Sequence, residues 1–247
     1  MMETNLYIEK IMFNRDFNDD GSYILKIPVI KKLLEKAELN FNKPVTFIVG
    51  ENGTGKSTLL EAIAVTAGFN AEGGSKNFNF STKSTESALH QYMKLSKKGH
   101  EHDGFFLRTE SFYNVATQVD DLELNLKGYG GKSLHHQSHG ESFMALVQNR
   151  FRGRGLYILD EPEAALSPLR QMSLLVELNR LVKNDSQFII ATHSPILLAY
   201  PNADIFELTM DDIKTVEYKQ TEHYNLTKQF LDNPEKMLRY LFDDWRD

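Results

Sequence analysis

The chain has 247 residues, of which 41% are hydrophobic and 25% charged, so it can bury a full core. It contains no cysteine, which excludes disulfides and thiolate metal centres and agrees with a reducing cytoplasm. The net charge of −6 excludes a globally basic surface for nucleic acid, although a local basic patch stays open. No apolar run approaches the roughly 18 residues of a membrane span, and the first residues lack a secretion signal. We therefore expect a cytoplasmic protein with no membrane span.

Residues 5–30 alternate apolar and polar side chains, and a segment that begins with Pro28 runs on to Lys36. The alternation predicts strands at residues 6–13 and 23–27, joined by a polar turn at residues 18–21. A short helix is expected from Pro28 to Lys36, because proline is favoured in the first helical turn. The N-terminal region is therefore predicted to contain antiparallel β structure.

A glycine-rich loop is the strongest motif in the sequence. It follows the apolar, β-branched run at residues 44–49 and precedes a helix-forming segment, the order expected of strand, phosphate loop and helix. Glycines let successive backbone N–H groups curl into a nest that a Cβ would obstruct, and the helix N-terminus adds its dipole. Lys56 can then reach the β- and γ-phosphates, while the Ser57 hydroxyl ligates Mg²⁺. The residues expected to hold the nucleotide are Gly50, Glu51, Asn52, Gly53, Thr54, Gly55, Lys56, Ser57 and Thr58.

The alternative for this motif is a glycine-rich turn between a strand and a helix that binds nothing. A chance match in a chain of this length is on the order of one in a hundred. The strand before the loop and the helix after it lower that chance further. The sequence therefore predicts that the chain binds a nucleoside triphosphate.

The signals between residues 68 and 137 are weaker. Residues 68–87 are predicted to be loops with a short strand at 78–80, and a helix is expected at residues 87–97. A buried strand is predicted at residues 104–108. Three histidines that follow, His135, His136 and His139, suggest a metal site, but the loop offers no nearby carboxylate in a suitable arrangement. A loop without metal is the favoured interpretation.

Ser138 and Glu141 open a predicted helix and match the Ser/Thr-x-x-Glu capping box. That structural role alone explains both residues. The same turn also presents free N–H groups beside Gly140, which is the arrangement that a γ-phosphate uses. Both interpretations stay open on these residues alone.

The segment at residues 156–161 is a buried strand that ends in two carboxylates. A strand apolar on both faces belongs in the middle of a parallel sheet, so Asp160 and Glu161 are expected at the carboxyl edge beside the glycine loop. We expect Asp160 to hold Mg²⁺ through water and Glu161 to polarise the attacking water. The alternative is a surface Asp-Glu turn before Pro162.

A second central strand is predicted at residues 187–192, after a helix that Ser167 caps and Pro168 begins. His193 follows this strand and is expected on the same sheet edge as Asp160. A histidine at a strand end is more often structural. At this edge it can instead donate to a γ-phosphate or orient the attacking water.

Taken in order, these motifs resemble those of the ABC-type ATPases: a P-loop, a Ser-x-Gly-Glu signature, an Asp-Glu strand, a D-loop equivalent and a histidine switch. The resemblance covers about residues 44–200, and the spacings from Ser138 to Asp160 and on to His193 are similar to those of the family. Glu141, the P-loop sequence and the segment at 161–168 look most like the soluble heads of the SMC, DNA-repair and phage-defence kind. Within that group, the chain resembles the compact, stand-alone bacterial ATPases.

This resemblance implies a single α/β P-loop NTPase domain over residues 1–247, with a mostly parallel central sheet and a small helical signature subdomain. Residues 1–70 and 151–210 would form the nucleotide-binding core, residues 71–150 the Q-loop and signature subdomain, and residues 211–247 a C-terminal hairpin and helices. This sequence departs from the family pattern at two places. Glu110 takes the position of the Q-loop glutamine that contacts Mg²⁺, and Ser167 that of the D-loop aspartate.

The resemblance also implies a homodimer that closes on two ATP molecules and opens after hydrolysis. Lys56, Glu161 and His193 would then act on one nucleotide, and Ser138, Gly140 and Glu141 would reach it from the partner. The chain between the P-loop and the signature is too short for long coiled-coil arms.

The C-terminal region is predicted to contain a hairpin of strands at residues 204–208 and 215–218. Helices are expected at residues 224–231 and 234–243, with Asn233 as cap and Pro234 in the first turn. The sequence assigns no function to this region.

Three functions remain open. The first is a Mg²⁺-dependent ATPase whose dimer closure acts on a partner protein or nucleic acid. The second is the ATP-binding subunit of a membrane transporter, and the third is a nucleotide-dependent switch with negligible turnover. Glu161 favours hydrolysis over the third, and the signature favours the first over the second.

Overall fold

The computed structural model describes residues 6–14, 27–76, 88–109, 112, 138–210 and 212–242. Its strands are β1 (Ile8–Phe13), β2 (Glu38–Asn40), β3 (Val45–Gly50), β4 (Met93–Lys97), β5 (Asp103–Arg108), β6 (Gly155–Asp160), β7 (Gln187–Ala191), β8 (Ala203–Leu208) and β9 (Ile213–Thr215). Its α-helices are α1 (Pro28–Lys36), α2 (Lys56–Ala67), α3 (His139–Arg150), α4 (Pro168–Val182), α5 (Pro195–Leu198), α6 (Glu222–Asp232) and α7 (Pro234–Leu241). Short 3₁₀ helices cover Ala88–Tyr92, Pro162–Ala165 and Tyr218–Gln220.

A six-stranded sheet in the order β5-β6-β7-β3-β8-β9 forms the centre of the molecule. Neighbouring strands are parallel except for the β8–β9 hairpin at one edge. Every residue of β3, β6 and β7 is buried, which explains why these segments are apolar on both faces. The α/β architecture with a mostly parallel central sheet is therefore confirmed.

The register of this sheet brings the ends of three strands together. Asp160, at the end of β6, pairs with Ala191 at the end of β7, and Ala191 pairs with Ile48 near the end of β3. The loops that follow these strands therefore leave the sheet at the same carboxyl edge. This is the edge at which open parallel sheets bind their ligands.

Two apolar clusters cover the two faces of the central sheet. Along β3, Ile48 faces a cluster shared with α1, α2 and the antiparallel strands, while Phe47 and Val49 face a cluster shared with α3 and α4. The alternation along β3 follows from the twofold side-chain period of a strand. Helix α2, which follows the glycine loop, is thus fixed to the sheet by buried apolar side chains.

The predicted helix at residues 87–97 is wrong. Residues 88–92 form a 3₁₀ helix, and β4 then pairs antiparallel with β1. In this register Met93 pairs with Phe13, and Leu95 pairs with Ile11. Met93 is buried and Lys94 is exposed, so the segment has the alternation of a strand. With β2 on the other side of β1, β4 completes a three-stranded antiparallel sheet. The predicted antiparallel N-terminal region is confirmed; of the strands in this sheet, β1 was predicted, whereas β2 and β4 were not.

The predicted C-terminal hairpin and helices are present, but the second strand of the hairpin lies earlier in the chain than predicted. The hairpin pairs β8 with β9 at Ile213–Thr215, rather than with the predicted strand at 215–218. Helices α6 and α7 are present, and the Asn233 side chain accepts a hydrogen bond from the Lys236 N–H. Neither helix has a fully buried residue, so both lie on the surface of the molecule.

Of the strand predicted at residues 23–27, only Ile27 is described, and it is the N-cap of α1; the strand predicted at residues 78–80 lies outside the described residues. The helix predicted from Pro28 is confirmed as α1, and the first strand is confirmed within its predicted bounds. Within the described ranges, no helix has both the length and the apolar character needed to cross a bilayer.

Candidate nucleotide-binding site

The glycine loop connects the end of β3 to the start of α2, as predicted. Gly53 and Gly55 have φ angles of 81° and 96°, a left-handed conformation that residues with a Cβ rarely adopt. Gly50 has a further constraint, because a Cβ there would lie 2.3 Å from the backbone oxygen of Leu208. Thr54 closes the loop with a hydrogen bond from its hydroxyl to the Glu51 carbonyl at 2.9 Å. The glycines are thus required by the backbone path of the loop.

Lys56 begins α2 and folds back over the loop. Its Nζ donates hydrogen bonds of 2.9 Å to the carbonyl oxygens of Gly50 and Glu51, and the residue is 4% exposed. Burial lowers the pKa of this ammonium, while the carboxylates of Glu161 and Asp160 raise it. The side chain already lies along the loop, so its ammonium needs a small movement to meet a bound phosphate.

Ser57 and Asp160 meet at the carboxyl edge of the sheet. The Ser57 hydroxyl donates to Asp160 Oδ1 at 3.2 Å. A hydroxyl and a carboxylate side by side are the oxygen ligands that Mg²⁺ prefers, and this donor set fits the ion. Glu110, the third residue predicted to contact the metal, lies outside the described residues.

An arginine that the sequence analysis did not single out lies beside this pair of oxygens. Arg108, at the end of β5, forms an ion pair of 2.9 Å with Glu61 of α2, and its Nε is 3.9 Å from Asp160 Oδ2. The next residue, Thr109, hydrogen bonds through its hydroxyl to the backbone oxygens of Asp160 and Glu161. The end of β5 therefore positions the carboxylates of β6. Arg108 was predicted only as the last residue of a buried strand, and this position gave no signal of its role.

Glu161 follows Asp160 in a strained conformation. Its φ of 49° and ψ of 53° are left-handed, which is uncommon for a residue with a Cβ and recurs at functional sites. Its Oε1 lies 3.5 Å from Nε2 of His193. The predicted meeting of Glu161 and His193 at one sheet edge therefore agrees with the geometry.

A buried carboxylate behind this edge fixes the end of β7. Glu163 accepts hydrogen bonds from the backbone N–H of His193 at 2.5 Å and from the Thr192 hydroxyl at 2.7 Å. Burial raises the pKa of Glu163, and the two donors oppose that shift. The residue holds the backbone of the histidine in place. The sequence analysis treated Glu163 only as part of a family pattern.

The other side of His193 faces a second histidine. His193 Nδ1 lies 2.7 Å from Nε2 of His223, which belongs to the surface helix α6. Burial, followed by the positive charge of Lys56, lowers the pKa of both imidazoles. Nothing in the sequence pointed to His223, because it is a lone histidine in the first turn of an amphipathic helix.

Glu161, His193 and His223 face a cavity of about 530 Å³ at the carboxyl edge. The cavity is lined by Glu51, Asn52, Glu161, His193, Glu222, His223 and Leu226. It lies between the glycine loop and helix α6.

The Ser138 turn is built on a different part of the molecule. The Ser138 N–H donates to Glu141 Oε2 at 3.1 Å, and Ser138 and Glu141 form the predicted capping box. Arg170 of α4 contacts Glu141 Oε1 at 3.1 Å and Ser138 Oγ at 3.3 Å. The Ser138 N–H, with help from Arg170, holds the pKa of Glu141 below its usual value. Ser138 and Glu141 are exposed, and neither lines the cavity in front of the P-loop.

Gly140 is buried in this turn by polar neighbours. A Cβ at Gly140 would lie 2.7 Å from Arg170 Nη1 and 2.8 Å from the Ala165 carbonyl oxygen. The glycine is therefore required by the close approach of α3 to α4. His139, the residue before Gly140, is exposed, whereas His135 and His136 lie outside the described residues. No group of three or more potential metal ligands occurs in the part of the chain that the structure describes.

Comparison with known proteins gives the same class as the site. A family model described as an AAA domain matches residues 25–238. Ribose import ATP-binding proteins from two strains of Bacillus cereus are similar: one is 26% identical over 172 residues, and the other 23% identical over 213 residues. These matches cover 59% and 76% of this chain but 34% and 40% of the relatives, so the chain spans less than half of their length.

A solved structure shares the fold. CbiO1 from Clostridium perfringens, part of the ABC transporter complex cbiONQ, matches with a TM-score of 0.51 and 17% sequence identity. The match covers 96% of this chain and 100% of the other.

The fold and the phosphate loop together define a P-loop NTPase of the ABC type, as the motifs of the sequence indicated. The chain belongs to the AAA domain family, whose model covers most of its length. Membership in this class of ATPases implies that it binds ATP.

Proposed function

We propose that this protein is a Mg²⁺-dependent ATPase that hydrolyses ATP at the carboxyl edge of its central sheet. The observation that supports this most directly is the 3.2 Å contact between Ser57 of the P-loop and Asp160 of β6, with Glu161 next in the chain. Phosphate binding, metal binding and water activation would then be performed by residues within one small volume.

The roles of the residues follow from their positions. The N–H groups of the P-loop and the ammonium of Lys56 bind the β- and γ-phosphates. Ser57 and Asp160 would hold Mg²⁺, which would supply positive charge to offset that of the phosphates. Glu161 accepts a hydrogen bond from the attacking water and draws its proton away. His193, 3.5 Å from Glu161, donates a hydrogen bond to the γ-phosphate or to that water.

We propose further that two copies close on ATP as a homodimer in the cytoplasm. Ser138, Gly140 and Glu141 would then contact the γ-phosphate held by the partner, because Ser138 and Glu141 are exposed and do not line their own cavity. Closure would act on a partner protein or nucleic acid, as in the repair and defence heads that the signature resembles.

A second candidate is the ATP-binding subunit of a membrane transporter. The similarity to ribose import ATP-binding proteins and to CbiO1 favours this function. The third candidate, a switch with negligible turnover, is disfavoured by the carboxylate of Glu161 at the sheet edge. The candidates are distinguished by measuring ATP turnover with added DNA, with a co-purified membrane protein and with neither. The addition that stimulates turnover identifies the kind of partner.

The central test is the variant Glu161→Gln. A glutamine keeps the shape of the side chain but cannot take a proton from water, so turnover should fall at least about 100-fold while ATP still binds. We expect an ATP-bound dimer to accumulate, which light scattering detects. Glu38→Gln, on the exposed edge of the antiparallel sheet, is the control and should behave as wild type. A variant that binds ATP and remains monomeric would contradict the proposed dimer, and one that retains wild-type turnover would contradict the role of Glu161.

A further inference from the structure

The surface helix α6 contributes one wall of the nucleotide cavity. Glu222, His223 and Leu226 of this helix line the cavity together with Glu51 of the P-loop and Glu161, the residue after β6. The first turn of α6 is held by the Thr221 side chain, which accepts a hydrogen bond from the Tyr224 N–H. A helix with no fully buried residue is thus anchored at the end that faces the site.

The contact between α6 and the site is a hydrogen bond between two imidazoles. His193 Nδ1 and His223 Nε2 are 2.7 Å apart, and the ring centroids are 4.9 Å apart at an interplanar angle of 49°. At this distance one of the two nitrogens carries a hydrogen and the other accepts it. Burial and the charge of Lys56 favour the neutral form of both rings.

Two tautomers satisfy this hydrogen bond, and Glu161 distinguishes them. If His193 Nδ1 is the donor, the bare Nε2 of the same ring faces Glu161 Oε1 at 3.5 Å, so that two acceptors oppose each other. If His223 Nε2 is the donor, His193 carries its hydrogen on Nε2 and points it towards the carboxylate. The second arrangement removes the repulsion and points an N–H at Glu161, a carboxylate that lines the cavity.

We infer that His223 is a positioning residue for His193: its Nε2–H donates to His193 Nδ1 and, together with Glu161 on the other side of the ring, holds the tautomer in which His193 Nε2 is the donor. The inference deepens the proposed function and rests on it, because the acceptor of that N–H during turnover is the γ-phosphate or the attacking water. One ring nitrogen of a neutral histidine is held as the donor when a partner donates a hydrogen bond to the other nitrogen. Helix α6 is therefore a supporting element of the proposed site and not merely a surface helix.

The first test reads the tautomer directly and needs no turnover. The full chain labelled with ¹⁵N-histidine gives imidazole nitrogen resonances, and the signals of His193 are assigned by their loss in His193→Gln. We expect a protonated Nε2 and a hydrogen-bonded, unprotonated Nδ1 in the wild type. In His223→Phe, which keeps an aromatic ring but removes the donor, we expect the His193 Nδ1 resonance to lose its hydrogen-bond shift and the Nδ1-protonated tautomer to gain population, because Glu161 alone then opposes it. A His193 protonated on Nδ1 in the wild type, or unchanged in His223→Phe, would overturn the inference.

The second test is a double-mutant cycle on steady-state ATP hydrolysis. His223→Phe should lower kcat about tenfold, with KM and the affinity for ATP unchanged, because the lost bond orients His193 only. His223→Gln supplies an N–H donor and should recover much of this loss. In the His193→Gln background, His223→Phe should change kcat by less than about twofold, since its effect passes through His193.

Gln229→Ala, an exposed change on the same helix, is the matched control and should retain wild-type turnover. Equal losses from His223→Phe in both backgrounds, or weaker ATP binding with unchanged kcat, would contradict a positioning role. These outcomes differ from a failure of the proposed function. A wild-type chain that binds ATP without hydrolysing it refutes the ATPase, while the nitrogen resonances still decide the role of His223.

Discussion

The two walls of the nucleotide cavity are built in different ways. On the P-loop wall, Lys56 is held by carbonyls five and six residues away, and Thr54 by one three residues away. On the opposite wall, Thr192 is held by a residue 29 positions away and His193 by one 30 positions away. The first wall is a local structure, and the second is assembled from separate segments.

This difference indicates how each wall contributes to function. A local loop keeps its shape wherever β3 and α2 are in place, so its residues act mainly through their own contacts with phosphate. The opposite wall depends on the folding of β6, β7 and α6 onto one edge. A change in any of these segments moves the water-activating groups without altering the P-loop. Variants of the two walls should therefore separate ATP binding from hydrolysis.

The largest expected effect is on the local wall. Lys56→Ala removes the ammonium that we expect to bind the β- and γ-phosphates, and kcat/KM for ATP should fall by about 10³-fold or more. Phosphate release and the binding of a fluorescent ATP analogue measure the two components. Lys214→Ala, on the exposed edge strand β9, is the control and should leave both unchanged. Turnover within tenfold of wild type would show that Lys56 does not contact the transferred phosphate.

The next largest effect is on stability. In Gly50→Ala the new Cβ would lie 2.3 Å from the Leu208 carbonyl oxygen, so the free energy of unfolding should fall by roughly 3 kcal/mol. Gly53→Ala is the matched control, because its φ is also positive but no atom lies within 4 Å of the new Cβ. It should cost only about 1 kcal/mol. Urea denaturation of the nucleotide-free protein measures both, and equal losses would mean that the approach of β8 does not limit this position.

The contrast between local and long-range contacts also explains which features could be predicted from the sequence. The P-loop, the Asp160 strand and the Ser167 cap each follow from residues adjacent in the chain, and the structure has the predicted strand, loop and helix at these places. Strand β4 was mistaken for a helix because its pairing with β1, some 80 residues earlier, decides its conformation. His223 was missed for the same reason: its role depends on a contact between distant segments, which periodicity and spacing do not report.

A smaller effect is expected from pH on the assembled wall. The pKa of His193 and that of His223 are below the usual 6.5, so the unfolded chain binds more protons than the folded one below that pH. Their contribution to stability is therefore full above about pH 6.5 and is lost as the pH falls through their lowered values. Thermal melts between pH 8 and pH 5 measure this loss. His223→Gln removes one titrating group and should flatten the decline by roughly 2 °C, whereas Gln229→Ala should follow the wild type.

The smallest effect on stability is expected at the Ser138 turn, which belongs to neither wall of its own cavity. Arg170 is partly exposed, and its contacts with Glu141 and Ser138 are surface interactions, so Arg170→Ala should lower Tm by less than about 2 °C. Binding of ATP to the monomer should not change. If the turn serves the partner's nucleotide, the same variant placed in the Glu161→Gln background should weaken the ATP-bound dimer about tenfold, because the guanidinium no longer orients the turn. Arg170→Lys keeps the charge without the two-pronged contact and should weaken it to a similar degree. A dimer of unchanged stability in both variants would assign the Ser138 turn to helix capping alone.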